Sequence, residues 1–245
     1  WMHDFLEYMK LDPYFRKFNH GKMTFSLMYA YSENFILVLS HDEVVHLKCS
    51  MLGKMPGDRE DKFANLKLAY AYMCGHPGKK LLFMGQEFGQ WNEWSEKRAL
   101  DWYLLEDDSH KELKDFTKAC LILNKKYRCL YETDYSPEGF RWINANDKDN
   151  SVFSFIRISP DKKRHLLFVF NFTPVERPNH RIGVPVKGKY KLVLGDDMKN
   201  QKKTLTSVRG ECDGYKESLL IDLHRYGIAV YEFNGDVNAH KPTKI

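Results

Sequence analysis

The sequence predicts an α/β segment followed by an all-β, antiparallel domain. Two observations carry this. In the first half, two short apolar runs, Phe35–Leu39 and Leu81–Met84, each end abruptly in polar residues and are separated by one long helical pattern. A strand–helix–strand order of this kind makes a parallel pair. From about residue 130 the text changes to short strand-like runs divided by turn residues, which reads as an antiparallel sandwich of about 100 residues. With 245 residues, 43% of them apolar, the chain is long enough for both parts to bury a core.

The elements follow in order. Phe5, Leu6 and Met9 recur at helical spacing, and Pro13 closes that segment. A second helix is expected over Thr24–Glu33, with Phe25, Met28 and Tyr29 on one face. The run Phe35–Leu39 reads as a strand buried on both faces. A charged loop from Lys48 to Gly57 leads to Asp58, a good helix cap with acidic Glu60 and Asp61 in the first turn. Phe63, Leu66, Tyr70 and Met73 mark the buried stripe of that helix, and Gly75 and Pro77 stop it. After the second strand, Ser109 and Glu112 suggest a capping box for a helix reaching Tyr127, with Leu113, Phe116, Cys120, Leu121 and Tyr127 apolar.

Six strands are expected beyond it: Phe140–Ile143, Ser151–Ile158, His165–Phe172, Lys189–Leu194, Leu219–Leu223 and Ile228–Phe233. Asn146-Asp147, Pro160-Asp161, Asn179-His180, Gly195-Asp196 and Arg225–Gly227 read as the turns between them. The text after Asn234 reads as a polar, fraying tail.

Composition narrows the function. The net charge of +5 comes from 38 basic and 33 acidic residues spread along the chain. Clusters such as Lys162–Arg164 and Lys202-Lys203 are too short for a nucleic-acid stripe. The five cysteines (Cys49, Cys74, Cys120, Cys129, Cys212) are scattered with no CxxC pair. That argues against a disulfide framework or a zinc site and favours a reducing compartment. No leader-like stretch and no apolar run of about 18 residues is present, so a cytoplasmic protein without a membrane partner is expected. Aromatic content of 14% suits a core and also suits the apolar faces of sugars.

Chemistry-bearing residues gather where the two strands end. The first run leaves the core at Ser40-His41-Asp42-Glu43, and the second at Gly85-Gln86-Glu87. In parallel α/β folds the carboxyl ends of strands carry the chemistry, and two strands presenting carboxylates at one rim point to a site. Trp91 and Trp94 in the next loop read either as sugar-stacking rings or as loop anchors. His46 and Lys48 are further candidates.

Four segments closely resemble bacterial 1,4-α-glucan branching enzymes of the α-amylase superfamily: Thr24–Tyr31 (TFSLMYAY), Ser32–His46 (SENFILVLSHDEVVH), Met55–Leu68 (MPGDREDKFANLKL) and Gly85–Trp94 (GQEFGQWNEW). Phe170–Pro174 (FNFTP) is similar to part of that family's C-terminal domain. The resemblance implies a (β/α)8 TIM barrel followed by an antiparallel β-sandwich C-terminal domain. Phe35–Leu39 and Leu81–Met84 would be barrel strands seven and eight. Residues 1–130 would then be the C-terminal part of the barrel, 131–235 the all-β domain and 236–245 the polar tail.

The same resemblance implies retaining transfer of α-1,4-glucan segments to form α-1,6 branches, with glucan or glycogen as partner. By its match, Asp42 is carried over as the carboxylate that stabilises the transition state, and His41 as a hydroxyl-binding neighbour. Glu43, Gln86, Glu87 and Trp91 are expected at the substrate rim. No cofactor or metal is implied. No DxxRxD-like segment is present, so nucleophile and general acid are unassigned, and the chain taken alone is expected to be an inactive C-terminal part. It is then expected to expose apolar strand surface or self-associate through it. The sequence departs from the family at Leu47, where glycine is usual. The alternative from another class is a non-catalytic glucan-binding or structural β-sandwich module.

Overall fold

The computed structural model describes residues Trp1–Asn238. They form two compact units, Trp1–Ile122 and Leu123 onward. The division falls inside a helix, a few residues before the change of texture in the sequence.

In the first unit, α1 (Met2–Lys10) buries Phe5, Leu6, Tyr8 and Met9, as the helical spacing requires. Two single-turn helices follow, α2 (Pro13–Arg16) and α3 (Gly21–Thr24). Arg16 is fully buried; its Nη2 donates to the Met9 carbonyl at 2.9 Å and to Asn65 Oδ1 at 2.8 Å. The helix expected over Thr24–Glu33 does not form. Phe25–Met28 is a single 3-10 turn, and Phe25 and Met28 are 57% and 82% exposed. A three-residue period stacks residues i and i+3 on one ridge. The apolar spacing is therefore satisfied by a turn too short to nucleate an α-helix.

Strand β1 (Ile36–Leu39) pairs in parallel with β2 (Lys79–Leu82), Leu39 lying opposite Leu82. The second strand starts and ends two residues earlier than the apolar text suggested. Burial on both faces is also corrected: Leu37 and Leu39 are buried, whereas Ile36 is 55% exposed. Side chains alternate across a strand, so one face of the pair is covered and the other open. The connecting helix α4 (Arg59–Gly75) starts at Asp58, whose Oδ1 accepts from Asp61 N at 2.9 Å. Its expected stripe of Phe63, Leu66, Tyr70 and Met73 is buried, and so are Leu68, Ala71 and Tyr72 on its other side. Helix α5 runs from Asp108 to Lys126. Asp107, not Ser109, caps it, accepting from Ser109 N at 2.9 Å. Glu112 instead pairs with Lys67, and Leu121 is exposed rather than packed.

The second unit is an antiparallel sandwich. Its six-stranded sheet contains β3 (Phe140–Asn144), β4 (Val152–Arg157), β5 (Arg164–Asn171), β7 (Lys189–Gly195), β8 (Thr204–Thr206) and β11 (Ile228–Asn234), in the order β3-β4-β5-β11-β7-β8. The three-stranded sheet contains β6 (Arg177–Val184), β9 (Val208–Cys212) and β10 (Tyr215–Leu223), in the order β6-β10-β9. The inner core joins Ile156, Leu167, Ile182, Leu219, Ile221 and Phe233. On the other face of β4 and β5, Phe153, Phe155, Phe168 and Phe170 form a fully buried aromatic ladder, Phe155 lying 5.1 Å from Phe168.

Strands β6, β8 and β9 were not legible in the sequence. Asn179-His180, read as a turn, lies inside β6, with Asn179 at φ 51° and its N–H bonded to Asp222. Edge strands tolerate Pro178 and polar side chains because one row of their backbone groups needs no partner. The expected fraying after Asn234 is corrected as far as Asn238. Gly235 O accepts from His165, Val237 O accepts from Arg141, and Val237 is fully buried. The rest of the expected tail, 239–245, lies outside the described residues.

Candidate active site

The level ends of β1 and β2 bring the two polar tips together. At the first, His41–Glu43 makes one 3-10 turn after Ser40. Such a tight turn splits its three side chains. His41 and Asp42 are 55% and 64% exposed at the side chain, while Glu43 is 7% exposed. Ser40 Oγ donates to Asp42 Oδ2 at 3.2 Å, and His41 Nε2 lies 3.3 Å from Asp42 Oδ1. Lys48 Nζ donates to the Asp42 carbonyl at 2.8 Å.

Glu43 points inward, 3.9 Å from both Lys48 Nζ and Lys54 Nζ and 3.8 Å from His3. Lys54 is itself buried and donates to the Lys48 carbonyl. Burial pulls its ammonium below the usual lysine range, Lys10 adds to this, and the Glu43 carboxylate opposes it.

At the second tip, Gly85 and Gly89 take the left-handed φ of 86° and 70° that closes the 3-10 turn Gln86–Phe88. A Cβ on Gly89 would sit 2.7 Å from Leu113 Cδ2, so this glycine also permits the close approach of α5. Gln86 is buried. Its Oε1 accepts from Phe83 N at 3.2 Å, its backbone carbonyl accepts from Tyr70 at 2.8 Å, and its Nε2 finds no partner. Glu87 Oε2 accepts from Gly85 N at 2.9 Å. Trp91 stands edge-on to Phe63, with the Arg59 guanidinium 5.8 Å from its ring centre.

Three contacts join the tips. Trp94 N donates to Val44 O at 2.9 Å, the Trp94 ring lies 5.1 Å from Phe83, and Phe83 lies 5.7 Å from His41. Between the loops a cavity of about 10 Å3, lined by Ser50, Gln86, Gln90 and Trp94, has room for one water.

Sequence reasoning missed Glu93. Its carboxylate accepts from Leu47 N at 3.1 Å and Cys49 N at 2.7 Å. It thereby holds a loop in which His46, Leu47 and Cys49 all have positive φ, at 56°, 64° and 66°. The unusual residue at Leu47 thus keeps a glycine-type backbone, with its side chain 96% exposed. The left-handed conformation costs a non-glycine residue about 1–2 kcal/mol. Leu47→Gly removes that strain, loses no packing and keeps the N–H bonded to Glu93. It is expected to raise stability by up to about 1 kcal/mol after the entropy cost of glycine. Urea midpoints of the two proteins check this, and a lower midpoint for the glycine variant contradicts it.

Of the expected site residues, His41 and Asp42 face solvent, Glu87 and Trp91 are half-buried, and Glu43 and Gln86 are enclosed. Among the described residues no group of three His, Cys, Asp or Glu side chains could hold a metal ion, and no helix is long and apolar enough to cross a membrane.

Residues 142–234 match the family described as Alpha amylase, C-terminal all-beta domain. The chain is 52% identical over 240 residues to the 1,4-alpha-glucan branching enzyme GlgB of Butyrivibrio fibrisolvens, covering 95% of this chain and 38% of that protein. It is 53% identical over 197 residues to the same enzyme of Synechococcus sp. (strain JA-3-3Ab), covering 80% and 26%. For that of Bacillus cereus (strain AH187) the identity is 46% over 237 residues, covering 94% and 37%. The chain therefore spans well under half the length of these relatives.

Among solved structures, a variant of AmyP in complex with maltotriose aligns with a TM-score of 0.60 at 13% identity, covering 88% of this chain and 44% of that one. A debranching enzyme from Nostoc punctiforme aligns at 0.53 and 14% identity, covering 81% and 35%. These two show a shared fold. The sequence identities and the matched domain, not these folds, place the chain with the 1,4-alpha-glucan branching enzymes of the alpha-amylase superfamily, as a part of the chain that carries the C-terminal all-β domain.

Proposed function

We propose that this chain forms one side of the active site of a cytoplasmic 1,4-α-glucan branching enzyme. The reaction holds an α-1,4-glucan segment as a covalent glycosyl-enzyme and passes it to a 6-hydroxyl, forming an α-1,6 branch in glycogen. The observation that carries this reading is the turn after β1, which presents His41 and Asp42 to solvent and turns Glu43 inward to two lysines.

In this reading β1 and β2 are strands seven and eight of a (β/α)8 barrel, residues 1–130 are the last part of that barrel, and the all-β domain follows. The exposed apolar side chains Ile36 and Leu81 support neighbouring strands beside this pair. Asp42 stabilises the oxocarbenium-like charge, since an anion is most favourable beside developing positive charge in a dry site. His41 binds a sugar hydroxyl. Glu87 and Trp91 form the rim, and Glu43 and Gln86 hold the two tips in place from behind. The nucleophile and the general acid belong to residues outside these 245.

The test joins the residues of the Butyrivibrio relative that lie outside the match to this chain and assays the chimera on amylose. The expected result is loss of the blue iodine complex with appearance of α-1,6 linkages. Shortened chains without new α-1,6 linkages overturn the transferase reading in favour of hydrolysis.

A further inference from the structure

Behind the exposed face of the turn after β1 lies a buried layer of charge. The side chains of Lys54 and Glu43 are 2% and 7% exposed. Lys54 Nζ reaches back six residues to donate to the Lys48 carbonyl. Lys48 Nζ in turn reaches back six residues to donate to the Asp42 carbonyl at 2.8 Å. The Glu43 carboxylate lies between the two ammoniums, with Oε2 3.9 Å from Lys54 Nζ and Oε1 3.9 Å from Lys48 Nζ. The two lysines form a relay that ends on the residue whose carboxylate faces solvent.

The Lys54 end of the relay is anchored. Lys54 N donates to Ser50 O at 3.1 Å, and Lys62 of α4 donates to Gly53 O at 3.2 Å and to Met55 O. The backbone on both sides of Lys54 is therefore tied to the helix. The Asp42 end is a single 3-10 turn with two closing bonds, Glu43 N to Ser40 O at 3.3 Å and Val44 N to His41 O at 2.9 Å. So short a turn holds its side chains weakly unless something outside it fixes them. A buried ion pair is a poor device for stability alone, because apolar residues of similar size often serve as well. It does fix a position, and a shift of about 1 Å at a reacting group costs roughly 10²-fold in rate.

We propose that Lys54 is a positioning residue for the reaction: through the Lys48 carbonyl and the Glu43 carboxylate it holds the turn that aims Asp42. This rests on the branching-enzyme reading above and adds to it a residue that does not meet the substrate.

The charge on Lys54 is part of the device. Burial pulls its ammonium below the usual lysine range, Lys10 and Lys48 add to this, and Glu43 and Cys49 oppose it. His3 faces the same carboxylate at 3.8 Å. As pH rises, Lys54 loses its charge before an ordinary lysine does. Glu43 then loses one of its two ammonium neighbours, and the turn loosens. Arginine keeps its charge through that range.

The test uses the chimera described above. Lys54→Met is expected to lower kcat about 10–100-fold with KM within about threefold. In Lys54→Arg the rate at neutral pH is expected to stay within about threefold of the parent, with the alkaline decline moved to higher pH. Glu43→Gln combined with Lys54→Met leaves no stranded carboxylate, so it is expected to recover the melting temperature but not kcat. In the 245-residue chain, Lys54→Met is expected to speed hydrogen exchange of the Glu43 and Val44 amides about tenfold or more, with the α4 amides unchanged. A kcat that recovers with the melting temperature in the double variant overturns the inference. So does an arginine variant that loses the rate or keeps the parent's alkaline decline. An active parent whose Lys54→Met variant keeps its rate overturns the positioning role alone. A parent chimera without branching activity overturns the proposed activity alone, and the relay then stands or falls on the exchange of the two amides.

Discussion

Asp134→Ala is expected to cost the sandwich about 3–5 kcal/mol, because it strands a charge in the interior. Arg157 on β4 is fully buried, and its Nη2 donates to Asp134 Oδ1 at 2.9 Å. Its Nε donates to the Gly139 carbonyl at 3.2 Å, so the guanidinium is held from two sides between the 3-10 turn Pro137–Gly139 and the sheet. Removing the carboxylate leaves the guanidinium without its countercharge where water does not reach. Thermal unfolding is expected to move down by roughly 10–20 °C. A shift of only a degree or two contradicts this account. The double variant Asp134→Leu with Arg157→Met removes both charges and is expected to recover most of the loss, since buried ion pairs exchanged for apolar residues of similar size are often near neutral. A double variant as unstable as the single one points to packing, not charge, as the cause.

Asp42→Asn in the active chimera is expected to lower the branching rate by about 10²–10³-fold, the scale of losing one preorganised electrostatic group in an active site. Asparagine keeps the shape of the side chain and removes only its charge. The turn itself should persist, because Lys48 holds it through the Asp42 backbone carbonyl. The side chain is 64% exposed, so no buried partner is orphaned and the melting temperature is expected to stay within a few degrees. A rate within about threefold of the parent, measured as α-1,6 linkages formed per minute, removes Asp42 from the chemistry. A rate loss that tracks a loss of folded protein assigns it a structural role instead.

Legibility differed between the parts of the molecule for physical reasons. The helix from Arg59 was readable because its cap, its acidic first turn and its stop at Gly75 are all local signals. The central strands β4, β5 and β11 were readable because strands buried on both faces are nearly continuous apolar text. Edge strands β6, β8 and β9 were not, because their pairing is supplied by a neighbour and their own side chains are polar. The turn at Phe25–Met28 failed for a related reason: a spacing of three is shared by the α and 3-10 geometries over so short a segment.

By itself the sequence determined the parallel pair with its connecting helix, the presence of the sandwich and the candidates His41 and Asp42, because periodicity, caps and polar strand ends act over a few residues. Only the tertiary structure decided which of those candidates meets solvent. Glu43 and Gln86 carry the same polar text as Asp42 and Glu87, but the turns that close each tip send them inward. It also revealed the Glu93 clamp on the strained loop at Leu47, and the buried Lys54 ammonium beside Glu43. Each depends on residues more than ten positions apart in sequence, and a side chain's direction, burial and partners are set by that distant packing rather than by its neighbours in the chain.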